Sequence, residues 1–338
     1  MKVCLTGATG FLGSYTVAAL ADRGHEVRCL VRDAVRARTL LDRRGVDPAA
    51  YELVVGDMVD AERVIEAVRG CDATIHTAAA IGVTGRGGSI YESNTIGAGN
   101  VLVAAALSGH DPVIHVSSVA VFVPPDGPII TPDSPLSSPS TEYGRSKVAS
   151  ERLARRLQDE GHPITIVYPG GILGPDQPSL DSTLEGIVGA RTQGWPKTPG
   201  GVCLIDVRDI AEMLSIAVEP GRGPRRLMLA GRFFTWYELG DLLDDLTGVR
   251  ARRMPLPKPV ITKVGATLDL LRRVRPISYP LTKDAAEFMT TMVPADDAPT
   301  YEALGFAPRP VEESLTDTMR WLVEAGHLPA ANAGRLAP

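Results

Sequence analysis

The sequence predicts an α/β protein: a doubly wound parallel sheet with a smaller, discontinuous C-terminal lobe. Three observations carry that expectation. Short apolar runs alternate with helical patterns through the first half of the chain. A glycine-spaced segment, Thr6-Gly-Ala-Thr-Gly-Phe-Leu-Gly13, follows the first run directly, and the alternation weakens after Tyr168. Alternation of this kind joins consecutive strands by helical crossovers, which makes them parallel and covers both faces of the sheet.

The runs Val3–Thr6, Glu26–Val31, Leu53–Val55, Ala73–His76, Val113–Ser117 and Ile164–Tyr168 are short and apolar, as strands buried on both faces require. Between them, Phe11–Asp22, Ala34–Arg43, Ala61–Val68, Tyr91–Leu107 and Tyr143–Glu160 repeat apolar residues at helical spacing. Gly24-His25 and Gly161-His162-Pro163 mark helix-to-strand turns. Gly170–Gly201 and Pro255–Pro280 are rich in glycine and proline and read as irregular. Val207–Val218 has a helical pattern, and Arg226–Leu229 reads as a strand that returns to the main sheet. Thr235–Thr247 and Val311–Ala325 are further amphipathic helices.

The 338 residues suffice for a main core and a smaller partner. Apolar content of 44% with 5% aromatic describes an Ala/Val/Leu-rich globular protein. The net charge of −5 and the scattering of basic residues argue against a nucleic-acid partner, which needs clustered Lys and Arg. Arg43-Arg44, Arg155-Arg156 and Arg272-Arg273 read as solvated helix faces. Cys4, Cys29, Cys71 and Cys203 have neither metal-ligand nor disulfide-framework spacing, which fits a reducing compartment. The chain enters its first strand without a leader, and no stretch approaches the ~20 apolar residues that span a bilayer. A soluble, cytoplasmic protein without bound metal is expected.

Gly7, Gly10 and Gly13 come between a Val-Cys-Leu strand and a helix. That context suits the Rossmann dinucleotide fingerprint, although the spacing is GxxGxxG instead of GxGxxG. One glycine allows the turn, one lets backbone approach the pyrophosphate, and one lets helix and strand pack closely. The exposed N–H groups of the turn, which also holds Thr9, Phe11 and Leu12, favour phosphate. At the end of the second strand, Val31 is followed by Arg32 and Asp33. An arginine there accommodates the extra phosphate of NADP, whereas a carboxylate would hold the ribose of NAD. NADP is therefore the expected cofactor and NAD the second choice, Asp33 being read chiefly as the N-cap of the helix from Ala34. Asp57, beside Met58 after the third strand, either bonds the adenine or caps a helix. The expected division is then a dinucleotide-binding domain over residues 1–169 and 204–230, with a substrate-binding lobe over 170–203 and 231–338.

Tyr143 and Lys147 stand four apart on a predicted helix and share a face. A phenol of pKa near ~10 is a poor acid or base at neutral pH, and a neighbouring ammonium favours its ionised form. YxxxK alone is also an ordinary surface pattern. Val113-Ile-His-Val-Ser-Ser118 supplies the context: a strand ending in hydroxyls, at the edge where ligands bind in an open α/β sheet. Ser118 then donates to a substrate oxygen while Tyr143 transfers the proton; plain strand-end capping is its alternative role.

With these pieces in order, the chain resembles the extended short-chain dehydrogenase/reductases. The matching segments are Thr6–Gly13, Gly56-Asp57, His76-Thr-Ala-Ala79, Asn94 before Gly97 and Asn100, Ser117-Ser118, Tyr143–Lys147, Pro169-Gly-Gly-Ile-Leu-Gly-Pro175 and Asp206-Val-Arg-Asp209. They cover roughly the first two-thirds of the chain. The resemblance implies a catalytic triad of Ser118, Tyr143 and Lys147. It also implies a cofactor groove lined by Ala78 and Ala79, with Lys147, Tyr168 and Gly170 among the cofactor-binding residues and Asn94 supporting the active-site helix.

Val27-Arg-Cys-Leu-Val-Arg-Asp33 is similar to the VRD element of the dihydroflavonol and cinnamoyl-CoA reductase branch, and Gly70-Cys-Asp-Ala-Thr-Ile-His76 also suits it. The asparagine that nucleotide-sugar enzymes commonly carry after the sixth strand is absent from Tyr168-Pro-Gly-Gly-Ile-Leu. The resemblance thus implies an oxidoreductase passing hydride between NADP(H) and a small-molecule carbonyl or alcohol. An NAD-dependent nucleotide-sugar epimerase or dehydratase is the alternative. A non-catalytic NADP-binding sensor or scaffold is the alternative of another class, against which stands the intact Ser–Tyr–Lys set. Segments 81–89, 124–140 and 170–201 are expected around the substrate. Trp195, Phe233, Phe234 and Trp236 form either an apolar wall or ordinary core. Val260–Val274 covers the pocket or lies on a membrane surface, the former being the plainer reading. Thr95–Leu107 and Ser146–Leu157 either pair across a two-fold axis as a homodimer, as in many relatives, or pack on the sheet.

Overall fold

The computed structural model describes residues 1–80, 89–139, 141–272 and 281–337. In its first half strands and helices alternate as β1 (Lys2–Thr6), α1 (Phe11–Asp22), β2 (Glu26–Val31), α2 (Ala34–Arg43), β3 (Tyr51–Val55), α3 (Ala61–Val68) and β4 (Ala73–His76). They continue as α4 (Ile90–Leu107), β5 (Val113–Val116), α5 (Glu142–Asp159) and β6 (Ile164–Pro169). Local chemistry fixes the helix starts. Asp33, Asp60 and Thr141 cap α2, α3 and α5 by accepting from Arg36, Glu62 and Gly144 backbone N–H groups.

Past β6 come β7 (Gly171–Leu173), α6 (Ser182–Gln193), β8 (Trp195–Lys197), β9 (Gly201–Asp206), α7 (Val207–Ala217) and β10 (Arg225–Leu229). The chain ends with β11 (Arg232–Thr235), α8 (Trp236–Thr247), β12 (Arg253–Pro255), α9 (Lys258–Arg272), α10 (Lys283–Thr291), α11 (Ala298–Leu304), α12 (Val311–Glu324) and the short α13 (Ala330–Ala333).

Seven strands form one sheet in the order β10-β6-β5-β4-β1-β2-β3, every pair parallel. As the sequence predicts, the segment around Arg226–Leu229 returns to this sheet, beside β6. α1 and α7 bury Val17, Leu20, Ile210 and Leu214 on one face. On the other, α3, α4 and α5 bury Val64, Val101, Leu102 and Ala154. Each fully buried Leu or Val contributes roughly 1.5–3 kcal/mol relative to an exposed one. The sheet order reverses at β1/β4, so the carboxyl ends of those strands face a crevice of the kind that binds ligands in this architecture.

A third core gathers Trp195, Phe234, Leu239, Leu243, Leu315 and Leu322 between α6, α8 and α12. It is braced by the small sheet β11-β9-β7 and the pair β12-β8. Gly170–Gly201, expected to be irregular, instead holds β7, α6 and β8. Gly186 and Gly189 lie within α6 with open space beside them, and they dilute the apolar pattern that would have marked a helix. Trp195 and Phe234 are core residues. α9 packs on α10 and exposes Val260, Val264, Leu270 and Leu271, while residues 273–274 of the expected 260–274 segment lie outside the described residues. No described helix is long and apolar enough to cross a membrane. All four cysteines are buried and unpaired.

Candidate active site

The glycine turn is built by exclusion. Gly7 has φ +92°, a conformation that side chains disfavour, and a Cβ there would stand 2.8 Å from the backbone nitrogen of Ala78. A Cβ on Gly13 would overlap the carbonyl of Gly7, so helix and turn meet only without a side chain. Gly10 is different. It is exposed, and beyond the Gly7 carbonyl at 3.2 Å nothing lies where its Cβ would be. Gly10 also caps α1 without a side-chain bond, which leaves the first-turn N–H groups of Phe11, Leu12 and Gly13 without an intrahelical acceptor. An open concavity of donors at the positive end of a helix fits a dinucleotide pyrophosphate. Thr9 lies in the same turn, half-buried.

At the end of β2, Asp33 spends its carboxylate on the Arg36 N–H at 2.9 Å. Arg32 is 81% exposed and its nearest anion is Asp57, 3.8 Å away. The strand end therefore offers an exposed guanidinium, loosely paired with Asp57, and a carboxylate that caps α2. Asp57 closes its own turn by accepting from the Val59 N–H, while Asp60 caps α3, so Asp57 is not a helix cap. Met58 fills the notch that Gly97 opens in α4, and its carbonyl accepts from Asn100.

Between the turn and α5 runs segment 77–80. The Thr77 hydroxyl donates to the Thr6 carbonyl at 2.8 Å, which seats Ala78 against the glycine turn. Asn94 clamps the other end. Its Oδ1 accepts from the Ala80 N–H at 2.7 Å, and its Nδ2 donates to the Ala80 carbonyl and, at 3.0 Å, to the Ser146 hydroxyl of α5. A single amide thus ties the groove wall to the helix that carries Tyr143 and Lys147. Residues 81–88 and Ser140, within segments expected to face the substrate, lie outside the described residues.

Ser118, Tyr143 and Lys147 do come together. The Ser118 hydroxyl stands beside the Tyr143 phenol, whose ionisation it favours, and accepts from the Ala120 N–H at 3.2 Å, so its capping role and its place beside Tyr143 coexist. The Lys147 ammonium is buried, lies 5.8 Å from the Tyr143 ring centre and donates to the Val116 carbonyl at 2.9 Å. Burial pushes the Tyr143 phenol up to about 12, against the opposing pull of Ser118, and Asp181 adds to the rise. Burial pulls Lys147 down to about 8, and Glu151 opposes that fall. The centre can therefore hold a protonated phenol beside an ammonium at neutral pH.

Two expected cofactor residues have other commitments. The Tyr168 side chain turns into the core, where its hydroxyl donates to Glu151 Oε1 at 2.6 Å, so only its backbone faces the strand end. A Cβ on Gly170 would overlap the Ala230 carbonyl, which makes this glycine a close-packing position.

Sequence reasoning missed three neighbours of Lys147. His76 and His115 stack in adjacent strands with ring centres 5.7 Å apart, and His76 Nδ1 bonds the Thr6 hydroxyl at 2.7 Å. Burial and the Lys147 charge hold His76 at about 3 and His115 well below its ordinary value. The signal was in the strand alternation, which puts both rings on the α5 side of the sheet. Glu151 was missed because it stands in a charged stretch that reads as a solvated face.

The fold is shared with known proteins. The model of the NAD dependent epimerase/dehydratase family matches residues 3–227. Sterol demethylase protein B of Methylococcus capsulatus is 27% identical over 96% of this chain and 99% of its own. A putative dihydroflavonol 4-reductase of Synechocystis is 28% identical over 96% of this chain and 95% of its own. The fold also superposes on a UDP-glucose-4-epimerase from Stenotrophomonas maltophila, solved with bound NAD, at a TM-score of 0.73 and 20% identity, covering 96% of this chain and 99% of that one. The chain belongs to the NAD-dependent epimerase/dehydratase family, the extended short-chain dehydrogenase/reductases, and is an NAD(P)-dependent oxidoreductase.

Proposed function

We propose that the chain is a carbonyl reductase that uses NADPH and a Ser118–Tyr143–Lys147 centre. The observation that carries this reading is the pairing of the Ser118 and Tyr143 hydroxyls with a buried Lys147 one turn along α5. On this reading residues 1–169 and 204–230 hold the dinucleotide, while 170–203 and 231–338 face the substrate. Gly7, Thr9, Gly10, Phe11, Leu12 and Gly13 receive the pyrophosphate, Arg32 the extra phosphate, and Asp57 and Met58 the adenine. Ala78, Ala79, Lys147 and the backbone of Tyr168 and Gly170 border the nicotinamide side.

When bound, the cofactor supplies the hydride that adds to the carbonyl carbon. Ser118 donates to the carbonyl oxygen and fixes its direction. Tyr143 gives that oxygen its proton, and the Lys147 ammonium lowers the cost of the phenolate left behind. Relatives named for sterol demethylation and dihydroflavonol reduction support a ketone on an apolar ring scaffold as the substrate class.

NADPH oxidation by the purified chain over a panel of ring ketones and aldehydes tests the reading. Tyr143→Phe should cut turnover by roughly 10³-fold and leave NADPH binding intact; unchanged turnover refutes the assignment. An NAD-dependent epimerase is the second reading, supported by the shared fold of the Stenotrophomonas enzyme. It predicts NAD retained through purification and interconversion of nucleotide sugars with no net redox change. We also infer a homodimer, because Ile96, Val103 and Leu107 are exposed along one face of α4, and sedimentation as a monomer would refute it.

A further inference from the structure

One turn beyond Lys147 on α5 stands Glu151, which the proton transfer above does not use. Its side chain is fully enclosed. Oε1 accepts from the Tyr168 hydroxyl at 2.6 Å and from Arg155 Nε at 2.8 Å, while Oε2 is buried without a hydrogen-bond partner. Arg155 in turn donates to the Tyr168 hydroxyl at 3.3 Å and to the Pro132 carbonyl at 3.4 Å. The carboxylate is thus locked by α5, by β6 and by the chain ahead of α5.

An enclosed carboxylate with one free oxygen is costly unless cations answer it. Residues four apart share a helix face, so Glu151 lies between Arg155, which it contacts at 2.8 Å, and Lys147, which feels its charge without an ion pair. Among the described residues, the other titratable groups acting on this centre are Tyr143 on α5, His76 on β4, His115 on β5 and, through Tyr143, Asp181 at the start of α6. Both imidazoles are uncharged at neutral pH. Among the described residues, Glu151 is the anion that opposes the loss of charge from Lys147.

We propose that Glu151 is a positioning residue of this centre: its carboxylate, held in place by Tyr168, keeps the Lys147 ammonium charged beside Tyr143. The proposal rests on the reading of Ser118, Tyr143 and Lys147 as the catalytic set. It predicts opposite effects from two substitutions. Glu151→Gln keeps the shape and an acceptor for Tyr168 but removes the negative charge. Arg155→Met leaves the carboxylate and removes its second cation.

The chain has six lysines, few enough for Lys147 to be followed by NMR in full-length protein labelled at lysine, with Lys147→Arg for assignment. Glu151→Gln should lower the pH at which Lys147 titrates by about one unit, a tenfold fall in its charged fraction on the alkaline side. Arg155→Met should raise that pH. The alkaline limb of kcat/KM for NADPH-dependent reduction should move with the lysine in each case, while NADPH affinity changes less than about threefold. Should Glu151→Gln fail to fold, Arg155→Met, whose side chain reaches solvent, carries the test. An unmoved lysine titration in a folded variant overturns the proposal, and so does a moved lysine with an unmoved alkaline limb. Failure of the catalytic reading is recognised separately, as a Tyr143→Phe protein with unchanged turnover.

Discussion

The glycine turn and helix α5 border the same strand ends, yet they work by opposite means. The turn succeeds by lacking side chains: Gly7 and Gly13 close the packing, and Gly10 leaves donors open. Helix α5 succeeds by burying charge, with Lys147 and Glu151 enclosed on its inner face. One region should fail sterically and the other electrostatically. Asn94 joins them through Ala80 and Ser146, so a defect in either is registered at a shared wall.

The sharpest way to break this contrast is at Tyr143. Tyr143→Phe should cost roughly 10³-fold in kcat, with NADPH affinity by fluorescence unchanged. A variant that lost binding instead would put Tyr143 in the cofactor site and not in the chemistry. Gly13→Val should do the reverse: overlap with the Gly7 carbonyl should abolish NADPH binding and lower stability by about 1–3 kcal/mol in denaturant unfolding. Normal binding by that variant would mean that the turn is more pliant than its packing implies.

Arg32→Glu should raise the NADPH dissociation constant about 30-fold while leaving NADH binding nearly as it was, as expected for one lost charge-assisted contact of about 2 kcal/mol. Equal losses for both cofactors would remove Arg32 from the discrimination. The mildest effect is on pH. Lys147, pulled down to about 8 by burial, is charged below that pH and neutral above it. kcat/KM should be level up to about pH 8 and fall about tenfold per unit beyond. The sign for stability is opposite. Between about 8 and 10.5 the unfolded chain holds the lysine proton that the folded chain has released, so this group's contribution rises with pH over that window. A thermal denaturation series from pH 7.5 to 10 on the chain and on Lys147→Met checks it.

The first half of the molecule was legible because its signals are local. Phe11–Asp22, Glu26–Val31 and Ala73–His76 are bounded by caps and turns that act within a few residues, and the elements begin and end there. α6 escaped because its own glycines weaken its pattern, and its start depends on Asp181, which accepts from the Thr183 and Leu184 N–H groups. Within the site, Ser118, Tyr143 and Lys147 could be named from spacing and strand ends. The second commitment of Tyr168 could not be, because Glu151 lies seventeen residues away and on another element.

From sequence alone followed the alternation that makes the parallel sheet, the glycine turn at its first crossover, and the helical offset between Tyr143 and Lys147. These depend on short-range backbone preferences and on apolar periodicity, which neighbouring residues encode. The tertiary structure decided which charged groups lose their water. Lys147 and Glu151 sit in a stretch with Arg145, Arg152 and Arg156, and no local pattern distinguishes them from those solvated neighbours. Only the packing of α5 on β5 and β6 encloses them, and the field they share exists because that packing excludes solvent.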